Sequence, residues 1–363
     1  YDMRCSKIGV VIVAGGLSSR MKDFKPLLSI GKRSMIETTI NNFRSVGADE
    51  IVVVTGYRAN DIEGRLNNSN IKFVRNENYE FTQMFDSVCI GLKELKQRVS
   101  MIFVTPADSP FVQKFTLKKM IKEMGNSDLK ALQPSYKNMN GHPLLLSSDA
   151  VGEILNHDGT NGLHGVIDKF KDSYVNLSFV DPGIILDADT PEDYLKLIEY
   201  NENKDIPDVE LCLKIQDYFN VPGNVREHSI KVAMTAVGIC GHLLKKGVVL
   251  DRKIIVAASM LHDIAKGIHD HSKVGALRLL DMGYDRVSEI VRTHMKLEYI
   301  PEIITEKEVV YLADKMVQRI TPVSIEDRFA AKEEFYKHDE DILSNIEEKK
   351  KLTVNLYNKI FNN

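Results

Sequence analysis

From residue 8 to about residue 200, short apolar runs alternate with stretches in which apolar residues recur every three or four positions. The runs at 8–13, 50–55, 71–74 and 101–105 have the length and β-branched content of buried strands, whereas 34–46, 59–66 and 86–95 carry helical spacing. This alternation predicts βαβ units, and so an α/β domain with a Rossmann-like, mostly parallel sheet and helices on both faces. Ligands of such sheets bind beyond the carboxyl ends of the strands. Two strand ends are chemically marked: Gly15-Gly16 closes the first run, and Pro106-Ala107-Asp108-Ser109-Pro110 closes the run at 101–105. Both are expected to face one crevice.

The stretch Asn201-Glu202-Asn203-Lys204-Asp205-Ile206-Pro207-Asp208 is polar and interrupted by proline, which reads as a linker between domains at 1–203 and 209–363. Beyond it, residues 232–244, 252–261, 273–282, 286–294 and 307–320 all carry helical spacing with little strand signal, so an all-α second domain is expected. Residues 325–363 are charged and helical in propensity, and Lys349-Lys350-Lys351 reads as a solvated face.

At 363 residues the chain exceeds the size at which a single core keeps growing, in keeping with two domains. Hydrophobic content of 43%, charged content of 27% and a net charge of −3 describe a globular protein with no electrostatic reason to bind nucleic acid. Cys5, Cys89, Cys212 and Cys240 form no Cys-x-x-Cys pair and suit a reducing cytoplasm. The opening residues are too polar for a signal peptide and no apolar run nears the ~20 residues that span a membrane, so a cytoplasmic protein is expected.

The turn after the first strand, Ala14-Gly15-Gly16-Leu17-Ser18-Ser19-Arg20-Met21-Lys22-Asp23-Phe24-Lys25, carries the main candidate chemistry. Paired glycines let backbone approach phosphate, and Arg20 and Lys25 supply positive charge. The segment resembles the signature Ala-Gly-Gly-x-Ser-x-Arg-Met-Gly-x-x-Lys of the nucleotidyltransferases that finish molybdenum cofactor. That resemblance implies a nucleotide-diphospho-sugar-transferase type of fold, with Ala14, Gly15, Gly16, Ser18, Arg20 and Lys25 binding the NTP. Asp108 matches the aspartate of the family's Gly-Asp-x-Pro, with Ala107 in place of glycine. Asp187-Ala188-Asp189-Thr190-Pro191-Glu192-Asp193 matches Asp-x-Asp-Thr-Pro-Glu-Asp. The match implies Asp108 and Asp189 as Mg²⁺ ligands, with Asp187 a weaker candidate, on a run expected to end another strand; Asp189 or Thr190 could equally cap the helix beginning at Pro191.

Residues 76–88 and Asn140-Gly141-His142-Pro143 resemble the cytidylyl branch of the family, which implies Ser87, Gly141 and His142 at the acceptor. His142 could equally be a packed histidine before a turn. The chain departs from its relatives at Lys22, where they have glycine, and at Asp86-Ser87, where they have Ser-Ser. Phe24 stands where the guanylyl branch has aspartate, which tilts the donor towards CTP over GTP.

In the second half His228, His262, Asp263 and Asp314 each sit in apolar-periodic sequence, where four such groups are hard to leave without a partner. His262 and Asp263, about 100° apart if helical, can both reach one ion. The set resembles the HD superfamily of metal-dependent phosphohydrolases over roughly residues 210–320. By that resemblance the four residues ligate a divalent transition metal such as Mn, Fe, Ni or Zn, Lys266 contacts a phosphate, and His271 and His294 extend the cluster.

The expectation is therefore a bifunctional enzyme. Its first half transfers a nucleotidyl group with Mg²⁺, from CTP in preference, to a phosphorylated small-molecule acceptor such as molybdopterin, with a molybdoenzyme as recipient of the product. Its second half hydrolyses a nucleotide or other phosphoester. The rivals are a sugar phosphate or phosphocholine acceptor, and an HD half that binds a nucleotide only to regulate the transferase.

Overall fold

The structure, a computed structural model, describes residues 7–17, 21, 23–67 and 70–362. Contacts along the chain divide it into two units, Tyr1–Glu202 and Asn203–Asn363. The helix Pro191–Asn203 runs through the first residues of the stretch read as a linker, and the next helix, Val209–Tyr218, starts at its far end with Asp208 as N-cap.

The first unit is built on one sheet whose strands lie in the order Tyr174–Ser178, Ala131–Tyr136, Leu144–Ser147, Met101–Pro106, Ile8–Ala14, Glu50–Thr55 and Lys72–Arg75, with Met139–Asn140 paired to Ala131–Tyr136. Ile8–Ala14 runs parallel to both neighbours, and Leu144–Ser147 is antiparallel to both of its own. The central strands are continuous apolar runs because both faces are covered: Val10, Val11 and Ile12 are fully buried. The helix Met35–Arg44, begun by a capping box between Ser34 and Glu37, packs Phe43 against Phe103 of the sheet with ring centroids 5.3 Å apart. On the other face, Gly91 of helix Met84–Leu95 lies where a Cβ would come within 2.4 Å of Val11, so glycine there sets how closely helix and sheet approach.

Asp187 and Asp189 do not follow a strand, contrary to the sequence expectation. Pro182–Ile185 is a turn of 3₁₀ helix, because Pro182 at its first position cannot donate to a sheet and the Asp181 side chain caps the Gly183 N–H. An irregular stretch then leads to the helix at Pro191.

The second unit is helical: Val209–Tyr218, Gly223–Lys245, Arg252–Leu261, His271–Asp281, Asp285–Thr293, Glu306–Lys315, Ile325–Phe335 and Glu340–Phe361. The helix expected over 307–320 stops at Lys315, and Val317–Gln318 pairs with Thr321–Pro322 in a short hairpin. Pro322 cannot continue a helix, and Arg319 adopts φ of 56°. The final helix is more than a solvated face. It buries Ile346, Leu356 and Ile360, the Tyr311 and Thr353 hydroxyls are 2.9 Å apart, and Lys350 pairs with Glu333 at 2.9 Å. No helix among the described residues is long and apolar enough to cross a membrane.

One buried carboxylate fixes the path into the first unit's cleft. Asp181 accepts hydrogen bonds from Gln113 N at 2.8 Å, Thr116 Oγ1 at 2.7 Å and Gly183 N at 2.9 Å, joining the helix Lys114–Gly125 to the 3₁₀ turn. Burial pushes this carboxyl up to about 6 from its ordinary 3.8, against the pull of those donors. Between those values the folded chain keeps a proton that the unfolded chain has lost. The group's contribution to stability is therefore fully present below pH 3.8 and is lost as pH rises through about 6. Asp181→Asn, which leaves a donor facing a donor, should cost about 1–3 kcal/mol at neutral pH. In urea titrations from pH 4 to 7 the variant should also lose this part of the pH slope.

Candidate active sites

In the first unit, the turn after Ile8–Ala14 and the turn after Met101–Pro106 open onto one cleft of about 240 Å³, lined by Ala14, Gly15, Gly16, Lys25, Asn76, Tyr79, Ser87, Ala107 and Asp108 among others. Among the described residues, a Cβ on Gly16 would have no atom within 4 Å, and one on Gly15 would make only ordinary contact at 3.6 Å. The fold's own packing therefore does not require these glycines, and the room they leave faces the cleft. Ser18 and Arg20 lie outside the described residues.

Lys25 is carried on the turn Lys25–Leu27, and its Nζ lies 2.6 Å from Asp189 Oδ1 and 3.4 Å from Asp108 Oδ2. Burial would lower its pKa, but the two carboxylates outweigh burial and hold it above the ordinary lysine value. Burial together with Asp108 and Asp189 pushes the Asp187 carboxyl up, so this group of acids is short of positive charge. Thr190, rather than Asp189, caps the helix at Pro191. Its Oγ1 accepts from Asp193 N at 3.2 Å and donates to Asp193 Oδ2 at 2.7 Å, which leaves Asp189 for Lys25. The lysine ammonium stands where a hard cation bridging Asp108 and Asp189 would stand, and an all-oxygen set of this kind fits Mg²⁺.

The candidate acceptor residues separate. Ser87 is buried in the cleft wall, where Asn76 Nδ2 donates to its Oγ at 3.0 Å and to Thr82 Oγ1 at 2.8 Å. His142 lines an adjoining cavity of about 240 Å³ with Gln133, Asn161 and His164; burial lowers its pKa, so it is a neutral hydrogen-bonding group. Gly141 lines neither cavity. A Cβ there would come within 2.5 Å of the Ile184 carbonyl oxygen, so this glycine admits the 3₁₀ turn. Asn76 and Gln83 lie in the segment 76–88 but no role was assigned to them from the sequence, and Gln133 was not anticipated; the fold brings the three to the cavity walls from separate elements.

In the second unit, His262 and Asp263 lie just past the end of Arg252–Leu261 instead of on the helix. His262 Nδ1 sits 2.7 Å from the Ser259 carbonyl oxygen, His294 Nδ1 2.6 Å from that of Val291, and His228 Nδ1 2.7 Å from that of Arg319. Each of these rings thus donates from Nδ1 and turns its Nε2 inward. The hairpin that replaces the last turns of the expected helix is what brings the Arg319 carbonyl to His228.

The inward atoms converge on Asp263 and Asp314. Asp263 Oδ1 is 3.2 Å from His271 Nε2 and 3.5 Å from His294 Nε2, while its Oδ2 is 3.5 Å from His262 Nε2 and 3.0 Å from Lys266 Nζ. Asp314 Oδ1 is 3.1 Å from His228 Nε2 and 3.7 Å from His262 Nε2. Asp263 Oδ1 and the Nε2 atoms of His262, His271 and His294 are buried and make no hydrogen bond. Burial would raise both carboxyls, but His262, His271 and His294 hold Asp263, and Lys315 and His228 hold Asp314, well below the usual carboxylate range. Asp263 Oδ1 and three imidazole nitrogens thus crowd together without a hydrogen bond among them, while Lys266 and Lys315 offset the two carboxylates from the side.

Two overlapping triads, His228–His262–Asp263 and Asp263–His271–His294, each keep their ligand atoms within 4.8 Å of one another. The residues fit two divalent cations that share Asp263, and mixed nitrogen and oxygen donors suit a transition metal. Lys315 and Arg328, which flank Asp314, were not anticipated; Arg328 arrives from a helix 14 residues further on, and no local pattern marks it.

A mostly parallel α/β unit with a cationic lysine over paired carboxylates, followed by a helical unit with a histidine–aspartate cluster, defines a two-domain chain of nucleotidyltransferase and HD type. Residues 10–174 match the family described as MobA-like NTP transferase domain, and residues 225–317 match the HD domain family. The chain thus carries a MobA-like NTP transferase domain followed by an HD domain. It is 28% identical over 191 residues to the molybdenum cofactor cytidylyltransferase of Escherichia coli K12, covering 52% of this chain and 95% of that protein. It is also 28% identical over 170 residues to the bifunctional protein GlmU of Francisella tularensis subsp. novicida, covering 45% of this chain and 36% of that one. The solved structure of Rv0371c from Mycobacterium tuberculosis H37Rv covers 54% of this chain at 24% identity, with a TM-score of 0.49 over the whole of that chain.

Elemental analysis of protein saturated with Mn²⁺ and then dialysed tests the shared carboxylate. His271→Ala should lose one ion per chain from the second unit and keep the other, whereas Asp263→Ala should lose both. An Asp263→Ala protein that retains the wild-type metal content would contradict the assignment.

Proposed function

We propose that the first unit transfers a nucleotidyl group from an NTP to a phosphorylated acceptor, and that the second hydrolyses a phosphoester or nucleotide. The observation that carries the first half is Lys25 held between Asp108 and Asp189 at the mouth of a glycine-walled cleft. A divalent cation on the two aspartates would stabilise charge on the phosphates as pyrophosphate leaves. Lys25 would then turn its ammonium to the phosphate oxygens, joined by Arg20 and Ser18 if the family resemblance extends to them. Gly15 and Gly16 would admit the phosphates close to backbone. Asp187, whose carboxyl is pushed up by burial and by Asp108 and Asp189, would complete the acidic side.

The likeness to an E. coli molybdenum cofactor cytidylyltransferase supports CTP as donor and a molybdopterin-type acceptor, with a molybdoenzyme receiving the product. Phe24 supports the same choice of base. It is buried, meets Tyr57 edge to face at 5.8 Å, lies under Arg58, and offers no carboxylate to a guanine. Ser87 and the adjoining cavity around His142 are the acceptor side in this reading.

In the second unit His228, His262, Asp263 and Asp314 would hold one cation and Asp263, His271 and His294 another. A bound transition metal supplies a hydroxide at neutral pH. The backbone carbonyls fix the imidazoles in the metal-binding tautomer, and Lys266 stands ready for a phosphate oxygen.

Lys25→Ala and Asp108→Ala should each lower pyrophosphate release from the preferred NTP by ~10²–10³ while leaving the thermal midpoint within a few degrees. Wild-type turnover in either variant would overturn the site. In competition, CTP should exceed GTP in kcat/KM; a preference for GTP or UTP would overturn the choice of base and leave the transferase reading standing.

A further inference from the structure

Cations crowd the side of the second-unit cluster that Asp314 occupies. Lys315, nearly buried, places its Nζ 2.6 Å from Asp314 Oδ2 and donates to the His294 carbonyl oxygen at 3.2 Å, 4.9 Å from the Tyr311 ring centroid. Arg328, on the helix Ile325–Phe335, brings Nη2 to 4.0 Å from Asp314 Oδ1. Lys332 follows four residues later on the same helix, and so on the same face. It is exposed, and among the described residues it has no carboxylate within ion-pair distance. On the other side of the cluster Lys266 lies 3.0 Å from Asp263 Oδ2.

The charge count decides what this site is for. Asp263 and Asp314 contribute two negative charges; Lys266, Lys315, Arg328 and Lys332 contribute four positive ones. The fixed charge is +2 before any divalent cation enters, and each cation adds two more. Surroundings that served only to retain metal would be acidic, whereas this excess of base calls for a ligand with more negative charge than one phosphate monoester carries.

We propose that Lys315, Arg328 and Lys332 form a subsite for a second phosphate group, so that the substrate is a phosphoanhydride: two or more adjacent phosphates, as in a nucleoside diphosphate or inorganic pyrophosphate. The inference rests on the phosphohydrolase reading of the cluster. In the reaction a water oxygen bonds to one phosphorus and the bridging P–O bond breaks, its electron pair leaving on the other phosphate. One proton passes to solvent, and nothing is oxidised or reduced. Arg328 and Lys332 bind the leaving phosphate and lower the charge cost of its departure.

The test uses the full chain with Mn²⁺ and follows phosphate release from ADP and pyrophosphate beside AMP and p-nitrophenyl phosphate. The diphosphates should lead in kcat/KM by roughly tenfold or more. Arg328→Ala and Lys332→Ala should each reduce that ratio by about the same factor, in kcat as well as in KM, and Arg328→Lys should recover part of it. Lys332 is exposed, so its variant keeps the test clear of folding. Lys337→Ala, which removes an exposed charge paired with Glu334 at 2.6 Å, should leave the ratio unchanged. Monoester hydrolysis with no advantage for the diphosphates, or variants that slow both classes equally, would overturn the subsite alone. Release from none of the four compounds would overturn the hydrolase reading beneath it.

Discussion

Carboxylates brought close together have to be compensated, and both units of this chain are organised by that constraint. In the first, Asp108 and Asp189 approach each other at the carboxyl ends of the sheet only because Lys25 stands between them. In the second, Asp263 is almost inaccessible; Lys266 pairs with its Oδ2, and its Oδ1 is faced by imidazole nitrogens without a hydrogen bond. The two solutions differ in kind. A lysine can swing away and leave an oxygen site to a hard cation. Three imidazoles pinned through Nδ1 to backbone carbonyls cannot move far, and so present a fixed nitrogen-rich site.

Backbone geometry delivers these side chains from distant parts of the chain. The parallel pairing of Ile8–Ala14 with Met101–Pro106 puts Gly15 and Asp108 side by side, and the Asp181-anchored turn returns the chain to bring Asp189 to the same point. In the helical unit, His262, Asp263 and His294 sit just beyond the C-terminal ends of helices. At such ends backbone carbonyls lack intrahelical partners, and these are the carbonyls that orient His262 and His294. The arrangement uses a cost of helix termination to set a tautomer.

Much of this was legible in the sequence because it is local. Apolar runs of five or six residues marked the strands that carry the glycine turn and Asp108, and the adjacent His262-Asp263 pair marked the cluster. What escaped depends on tertiary docking. Helical spacing continues past Lys315, yet Pro322 and the left-handed Arg319 turn the chain into a hairpin whose carbonyl orients His228. Apolar Ile184-Ile185-Leu186 looks like a strand, but Asp181 and Pro182 coil it. Arg328 and Lys332 sit in a stretch whose charge pattern resembles any solvated helix, and only the packing of that helix places Arg328 4.0 Å from Asp314. Gly141 shows the converse: its motif suggested ligand contact, and its position against Ile184 is explained by close backbone packing.

The central claim is that one chain holds two separate cation sites, one of oxygen and one of nitrogen and oxygen. Anomalous diffraction from crystals of the full chain grown with Mn²⁺ and a non-hydrolysable CTP analogue tests it most directly. The account predicts a scatterer between Asp108 and Asp189 with Lys25 turned towards phosphate, and two more flanking Asp263. Crystals in which Lys25 still bridges the two aspartates, or in which the atoms around Asp263 close up with no scatterer among them, would contradict it.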